Sequence, residues 1–487
     1  MTRVLRKTAA RSFLLLAGAL FSACSTTGAP AGGAAEPKIE SGSRSVTMPW
    51  REGDAWASTY RPLPSTAVFI TNATVLTAAG ERIPQGRILL RDGAIAAVGD
   101  ATLEAPADAT VLDASGKWVT PGVIDAHSHL GVYPSPGVEG LSNGNEMTDP
   151  NTAEVWAEHA VWPQDPQFPL ALAGGVTTIQ ILPGSANLFG GRGVTVKNVP
   201  ARSAYAMKFP GAPQALKMAC GENPMRLYGG RNRAPSTRMG NVAGYRAAWL
   251  KADKYRRDWQ EYAEKVGRGD GEAKKPERDL ELDTLAGVLA GDILVQNHCY
   301  RADEMITMID VAKEMGYRIA AFHHAVEAYK IADVLAKETI CADVWADWWG
   351  FKMEAFDGIR ENAALVHKAG GCAVIHSDDA EGIQRLNQEA AKAMAAGNEM
   401  GMNLREEDAI RWITINPAKS AGIAEKTGSL EKGKMADVVI WSGNPFSVYS
   451  RPEKVFIDGA LVFDRDDPGK NPATDFSVGL AGAGVTR

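Results

Sequence analysis

The chain has 487 residues, 45% of them hydrophobic, which is enough for one large core with a smaller companion. Its 52 Lys and Arg against 58 Asp and Glu give a formal charge of −6. That balance, without a Lys/Arg run interleaved with aromatics, argues against nucleic acid as a partner.

Residues 1–23 read as a secretory signal. Arg3, Arg6, Lys7 and Arg11 precede an apolar run from Ser12 to Ala23 that is too short to span a bilayer. Phe21-Ser22-Ala23-Cys24 resembles a bacterial lipoprotein cleavage box, so the expectation is a periplasmic or secreted protein, lipid-anchored at Cys24 to the outer membrane. Residues 24–64, rich in Gly, Ala, Ser and Pro, read as a flexible tether. The other cysteines, Cys220, Cys299, Cys341 and Cys372, form no CxxC pair. Spacing assigns no disulfide, and the expectation for most of them is a buried thiol.

Residues 65–117 show short strands, with Asp92-Gly93 marking a hairpin. The same texture returns over 426–465. The two pieces are expected to join as a composite β-sandwich. Residues 118–425 alternate strand and helix, which predicts α/β architecture, a closed (β/α)8 barrel with its active site at the C-terminal ends of the strands. A charged helix and a turn-rich stretch over 229–282 interrupt the rhythm, as a solvated insertion or a lid over the barrel mouth.

The first barrel strand, from Val119, ends at His127-Ser128-His129. On a strand, residues i and i+2 share a side, so both imidazoles converge where they can hold one metal ion. Further residues of ligand type stand at predicted strand ends: His298, the pair His323-His324, and Asp378.

The Pro121-Gly122-Val123-Ile124-Asp125-Ala126-His127-Ser128-His129 pattern, Gly174-Gly175-Val176-Thr177-Thr178, Thr414-Ile415-Asn416-Pro417-Ala418 and the segment from Gly428 to Asp437 together resemble the amidohydrolase superfamily, in its imidazolonepropionase-like and prolidase-like branch. The likeness runs from about Ala67 to Phe463. It implies a barrel with a small composite sandwich and one or two divalent metals, usually zinc, with manganese or iron as alternatives. His127 and His129 would hold the more buried ion. Lys217 falls where this branch carries a carboxylated lysine that bridges two ions; burial must first free its amine of a proton. His298 and His324 would hold the second ion, and Asp378 would complete the first site and shuttle protons. A metal-bound hydroxide would then attack a carbonyl.

Alternatives stand beside these readings. Glu222 could replace Lys217 as the metal carboxylate, and His323 competes with His324, although Ala325-Val326-Glu327-Ala328 fits the family better with His324 as ligand. His376 shares a face with Asp378, as an outer partner or simply a buried residue. Arg192, in a Gly-rich stretch from Leu188 to Gly193, is either part of a plain turn or a grip on a substrate carboxylate. The aromatic run from Val344 to Phe351 follows the seventh barrel strand and either packs in the core or walls the mouth. The implied function is hydrolysis of a carbon–nitrogen bond (amide, cyclic amide or dipeptide) in a small molecule. A deaminase on the same fold and an inactive binding lipoprotein are the rivals. Oligomeric state is not legible, and a homo-oligomer stays open.

Overall fold

The computed structural model describes residues 45–51 and 57–470. The signal, Cys24 and most of the tether lie outside the described residues. What is described of the tether is not loose. Trp50 is buried against Tyr255 of the long helix Arg238–Gly267, and the hydroxyl of buried Tyr60 donates to Asp458. Two aromatic side chains in a small-residue stretch bury enough apolar surface to pin it.

The small domain is built from both chain ends. Its strands are β1 (Val68–Val75), β2 (Ile83–Arg91), β3 (Ala94–Gly99), β4 (Thr110–Asp113) and β5 (Trp118–Pro121), joined later by three C-terminal strands. The barrel follows: β6 (Val123–Ser128), β7 (Val176–Ile181), β8 (Phe189–Lys197), β9 (Gln214–Ala219), β10 (Ile293–Cys299), β11 (Ile319–His324), β12 (Cys341–Val344) and β13 (Cys372–Ile375). The chain returns to the small domain through β14 (Val438–Trp441), β15 (Pro452–Ile457) and β16 (Ala460–Asp464). The small domain is one continuous mixed sheet, ordered β16-β15-β14-β5-β1-β2-β3 with β4 also on β1. Ile70, Val75, Ile88 and Leu90 from one end meet Val438, Ile440 and Phe456 from the other in its apolar core.

The run ending at His129 is not a single strand. It breaks at Gly122, where β5 in the small sheet gives way to β6 in the barrel. A Cβ at Gly122 would collide with the Thr177 side chain, and the Gly122 N–H donates to Asp437 O at 2.8 Å. Only glycine lets the two domains meet this closely.

The barrel sheet runs β6 to β13 in sequence order, but not all strands are parallel: β8 is antiparallel to both β7 and β9. The connection at residues 182–188 is too short for the helical crossover that a parallel pair needs. The Gly-rich stretch at Arg192 is therefore strand, not turn. Between β13 and β6 the seam is tied by Asp378 N–H to His127 O at 3.0 Å and Ser377 N–H to Asp125 Oδ1 at 3.1 Å.

Cys220 pairs with Cys299 and Cys341 with Cys372, so these are disulfides and not thiols. Each pair stands side by side on neighbouring parallel strands: Ala219 is opposite His298, and Cys341 opposite Cys372. That proximity is a matter of sheet register, which sequence spacing does not reveal.

The helix of the insertion packs on the barrel, and the stretch after it, residues 267–280, is mostly exposed. The helix Arg238–Gly267 buries Tyr245, Trp249 and Trp259, with Trp249 against Phe189 and Tyr317 on the barrel wall. Its charged residues form the outer face.

A buried ion cluster joins the domains. Lys197 Nζ reaches Asp437 at 2.8 Å and Asp458 at 3.1 Å, and all three side chains are shielded from solvent. Lys197→Met should cost about 3–5 kcal/mol, because two buried carboxylates lose their cation. Urea unfolding of the variant measures it, and a loss below about 1 kcal/mol would contradict the role.

Candidate metal centre

The C-terminal ends of β6, β9, β10, β11 and the segment after β13 bring His127, His129, Lys217, His298, His324, His376 and Asp378 together. Asp378 Oδ1 lies 3.2 Å from His129 Nε2 and 3.5 Å from His127 Nε2, and Asp378 Oδ2 lies 3.7 Å from His324 Nδ1. Lys217 Nζ is 3.3 Å from His127 Nε2 and donates to Pro183 O at 3.0 Å. His298 and His324 rings are 4.5 Å apart. His324 and Asp378 both hold left-handed backbone, with φ of 70° and 52°. Such conformations cost of order 1–3 kcal/mol and gather at functional sites.

A chain of hydrogen bonds sets the tautomers. Gln296 Nε2 donates to Ser420 O at 2.8 Å, which turns Gln296 Oε1 toward His323 Nε2 at 2.7 Å. His323 must donate there, so its Nδ1 accepts from His127 Nδ1–H at 2.9 Å. The lone pair of His127 Nε2 then faces the cluster. His129 Nδ1 donates to Leu182 O at 2.8 Å, which turns Nε2 toward Asp378 Oδ1. His127 Nε2, His129 Nε2 and Asp378 Oδ1 therefore converge on one point. In addition, the Nδ1 atoms of His298, His324 and His376 are buried without a hydrogen-bond partner. This donor set fits divalent cations, and the groupings His127/His129/Asp378 and His127/His324/His376 each have ligand atoms within 4.8 Å of one another.

Burial keeps most of these imidazoles free of a second proton. It pushes His127, His298, His323 and His324 well below the ordinary imidazole value and His376 down to about 4. The same desolvation lowers Lys217 to about 7, so a neutral amine is accessible. Burial opposes ionisation of Asp378, but the hydrogen bond and close approach of His129 at 3.2 Å outweigh it and hold the carboxyl below its usual range.

Other sequence candidates fall elsewhere. Glu222 Oε1 pairs with Arg226 at 3.6 Å and Lys352 at 3.7 Å and joins neither grouping. Arg192 is buried in β8, donates to Thr284 Oγ1 at 2.7 Å and lies 4.3 Å over the Trp156 ring, so it holds the barrel wall rather than a substrate. His376 comes closer than an outer partner, whereas His298 stands at the edge, outside both groupings.

The family model described as Amidohydrolase family matches residues 261–462. The crystal structure of an amidohydrolase from Thermotoga maritima superposes with a TM-score of 0.74 at 36% identity, covering 82% of this chain and 100% of that one. The chain belongs to the amidohydrolase family. The amidohydrolase tasK of Hapsidospora irregularis is 33% identical over 398 residues, 78% of this chain. This chain spans only 40% of that relative's length. An imidazolonepropionase of Thermoplasma volcanium is more distant, 23% identical over 416 residues, 79% of this chain and 92% of the relative.

In this amidohydrolase, sequence reasoning missed the layer beneath the cluster. Asp125 accepts from the N–H of His127 at 3.2 Å and of Ser377 at 3.1 Å, so one buried carboxyl positions both rims of the seam. The PGxxD portion of the opening pattern was the available signal for it. Asp343 Oδ2 lies 3.5 Å from His323 Nδ1 and accepts from Ser420 Oγ at 2.9 Å. Gln296→Leu breaks the tautomer chain at its root. It should weaken metal binding about 10–100-fold, read by competition with a chromogenic chelator; unchanged affinity would show that His127 needs no such support.

Proposed function

We propose that this amidohydrolase is a metal-dependent hydrolase of a carbon–nitrogen bond, an amide, cyclic amide or dipeptide, in a small molecule. The observation that carries the reading is the convergence of His127 Nε2, His129 Nε2 and Asp378 Oδ1, with both rings oriented by hydrogen bonds at Nδ1. His127, His129 and Asp378 would hold one cation and His298 and His324 a second, with a carboxylated Lys217 between them; zinc suits this nitrogen-and-oxygen set, and manganese or iron also fit. The bound cations supply an acidified water and a polarised carbonyl.

The chain's own groups do the rest. Asp378, ionised at neutral pH, accepts a proton at Oδ2 and returns it to the departing nitrogen. Trp345 stacks on His324 and shuts water from that face. Lys217 supports this reading over the deaminase one, because a single-metal site has no use for a buried amine beside His127. The two disulfides support an oxidising compartment, in keeping with a leader and lipid attachment at Cys24. Metal analysis by mass spectrometry, paired with a screen of N-acyl amino acids, dipeptides and lactams, tests the proposal. About two metals per chain and turnover of at least one class would uphold it. A protein that binds no metal, or one that binds a single metal and releases only ammonia from ring amidines, would overturn it.

A further inference from the structure

The loop after β12 carries an unusual load of exposed apolar side chains. Trp348, Trp349, Phe351, Met353 and Phe356 stand within residues 348–356 and are each at least 40% exposed. Soluble proteins seldom leave so many large side chains in water on one short segment unless they receive something.

These rings are ordered relative to the metal cluster. Trp345 is buried, and its indole N–H donates to Ser377 O at 3.2 Å, next to Asp378. Its ring stacks on His324 at 4.4 Å with an interplanar angle of 24°. Trp348 stacks on Trp345 in turn, at 5.3 Å and 23°. Phe351 meets Trp345 edge-on at 5.7 Å, and Tyr300 stacks on His324 from another side at 5.3 Å. A ladder of nearly parallel faces therefore leads from an imidazole of the proposed metal site out to solvent. The inner rung is locked by a hydrogen bond, so a stacking surface exists before any ligand arrives. Flat rings gain from offset stacking on such a surface; puckered rings of the same size gain only apolar burial.

We infer that the substrate carries an aromatic ring on one side of its scissile bond, and that this ring lies against Trp348, the exposed outer rung of the ladder. The inference rests on the hydrolase reading for the words "scissile bond", but its binding content does not. The test compares matched amides that bear phenyl, cyclohexyl or methyl on the acyl side or on the amine side, with the metal-loaded enzyme. The phenyl compound should exceed its cyclohexyl partner by about three- to tenfold in kcat/KM on one side of the bond. Trp348→Leu should bring that ratio close to one, with metal content retained. Calorimetric titration of N-benzoyl and N-cyclohexanecarbonyl amides gives a second readout that needs no turnover. If neither these amides nor the N-acyl amino acids, dipeptides and lactams are hydrolysed but the benzoyl compound still binds more tightly in a Trp348-dependent way, the hydrolase reading falls and the aromatic site stands. Equal or stronger binding of the cyclohexyl compound, or a phenyl preference untouched by Trp348→Leu, overturns the inference.

Discussion

Asp378→Asn should lower kcat by about 10²–10⁴-fold, the range for loss of a positioned proton-transfer group, while the fold survives. The carboxylate is held from several directions. Its backbone N–H donates to His127 O at 3.0 Å, and its φ of 52° lies in a region that asparagine also tolerates. The variant therefore keeps the shape and the seam. It loses the anion that completes the grouping with His127 and His129 and that the proposed hydrolysis needs as proton acceptor. Unchanged thermal unfolding with a collapsed rate would fit this role. A near-native rate would place the proton acceptor elsewhere. An equal collapse of stability would make Asp378 a structural residue of the barrel closure.

Lys217→Ala should reduce bound metal from about two ions per chain to about one and cut activity on the order of 10²-fold or more, above the 10–100-fold typical of outer partners. Lys217 is fully buried on β9, with Nζ against His127 Nε2 and Pro183 O. As an ammonium it would repel cations. As the neutral amine that desolvation favours, with its value lowered to about 7, it can add carbon dioxide and become an anionic oxygen ligand. Removing the side chain leaves a cavity lined by His127 and Pro183, so acetate or propionate should restore part of the activity and of the second ion. Retention of both metals without added acid would show that the lysine is a packed side chain.

Much of this was legible because it follows short periods. The strand period of two puts His127 and His129 on one face, and the helix bounds at Ala302–Met315 agree with the apolar pattern and the stop at Gly316. The rest depends on register and direction, which local sequence does not encode. A β-branched run such as Val194-Thr195-Val196 looks alike in either strand direction, so the reversal of β8 could not be read. Cys220 and Cys299 meet only because β9 and β10 align Ala219 with His298. The pair His323-His324 shows both sides of the matter. The strand predicts that one ring faces the cluster, but a φ of 70° at His324 puts it at the mouth beside Trp345, while His323 lies beneath and sets the tautomer of His127. A two-residue repeat has no means of expressing that split.

On the proposed reading, imidazoles, a lysine and a carboxylate from separate strands form a cradle for two cations. Anomalous X-ray scattering from crystals of the metal-loaded protein, collected at the metal edge, tests it most directly. Two peaks are expected, one between His127, His129 and Asp378 and one at His298 and His324, with density for a carboxylated Lys217 joining them. No peak within reach of His127 and His129, or metal bound only at surface carboxylates, would contradict it.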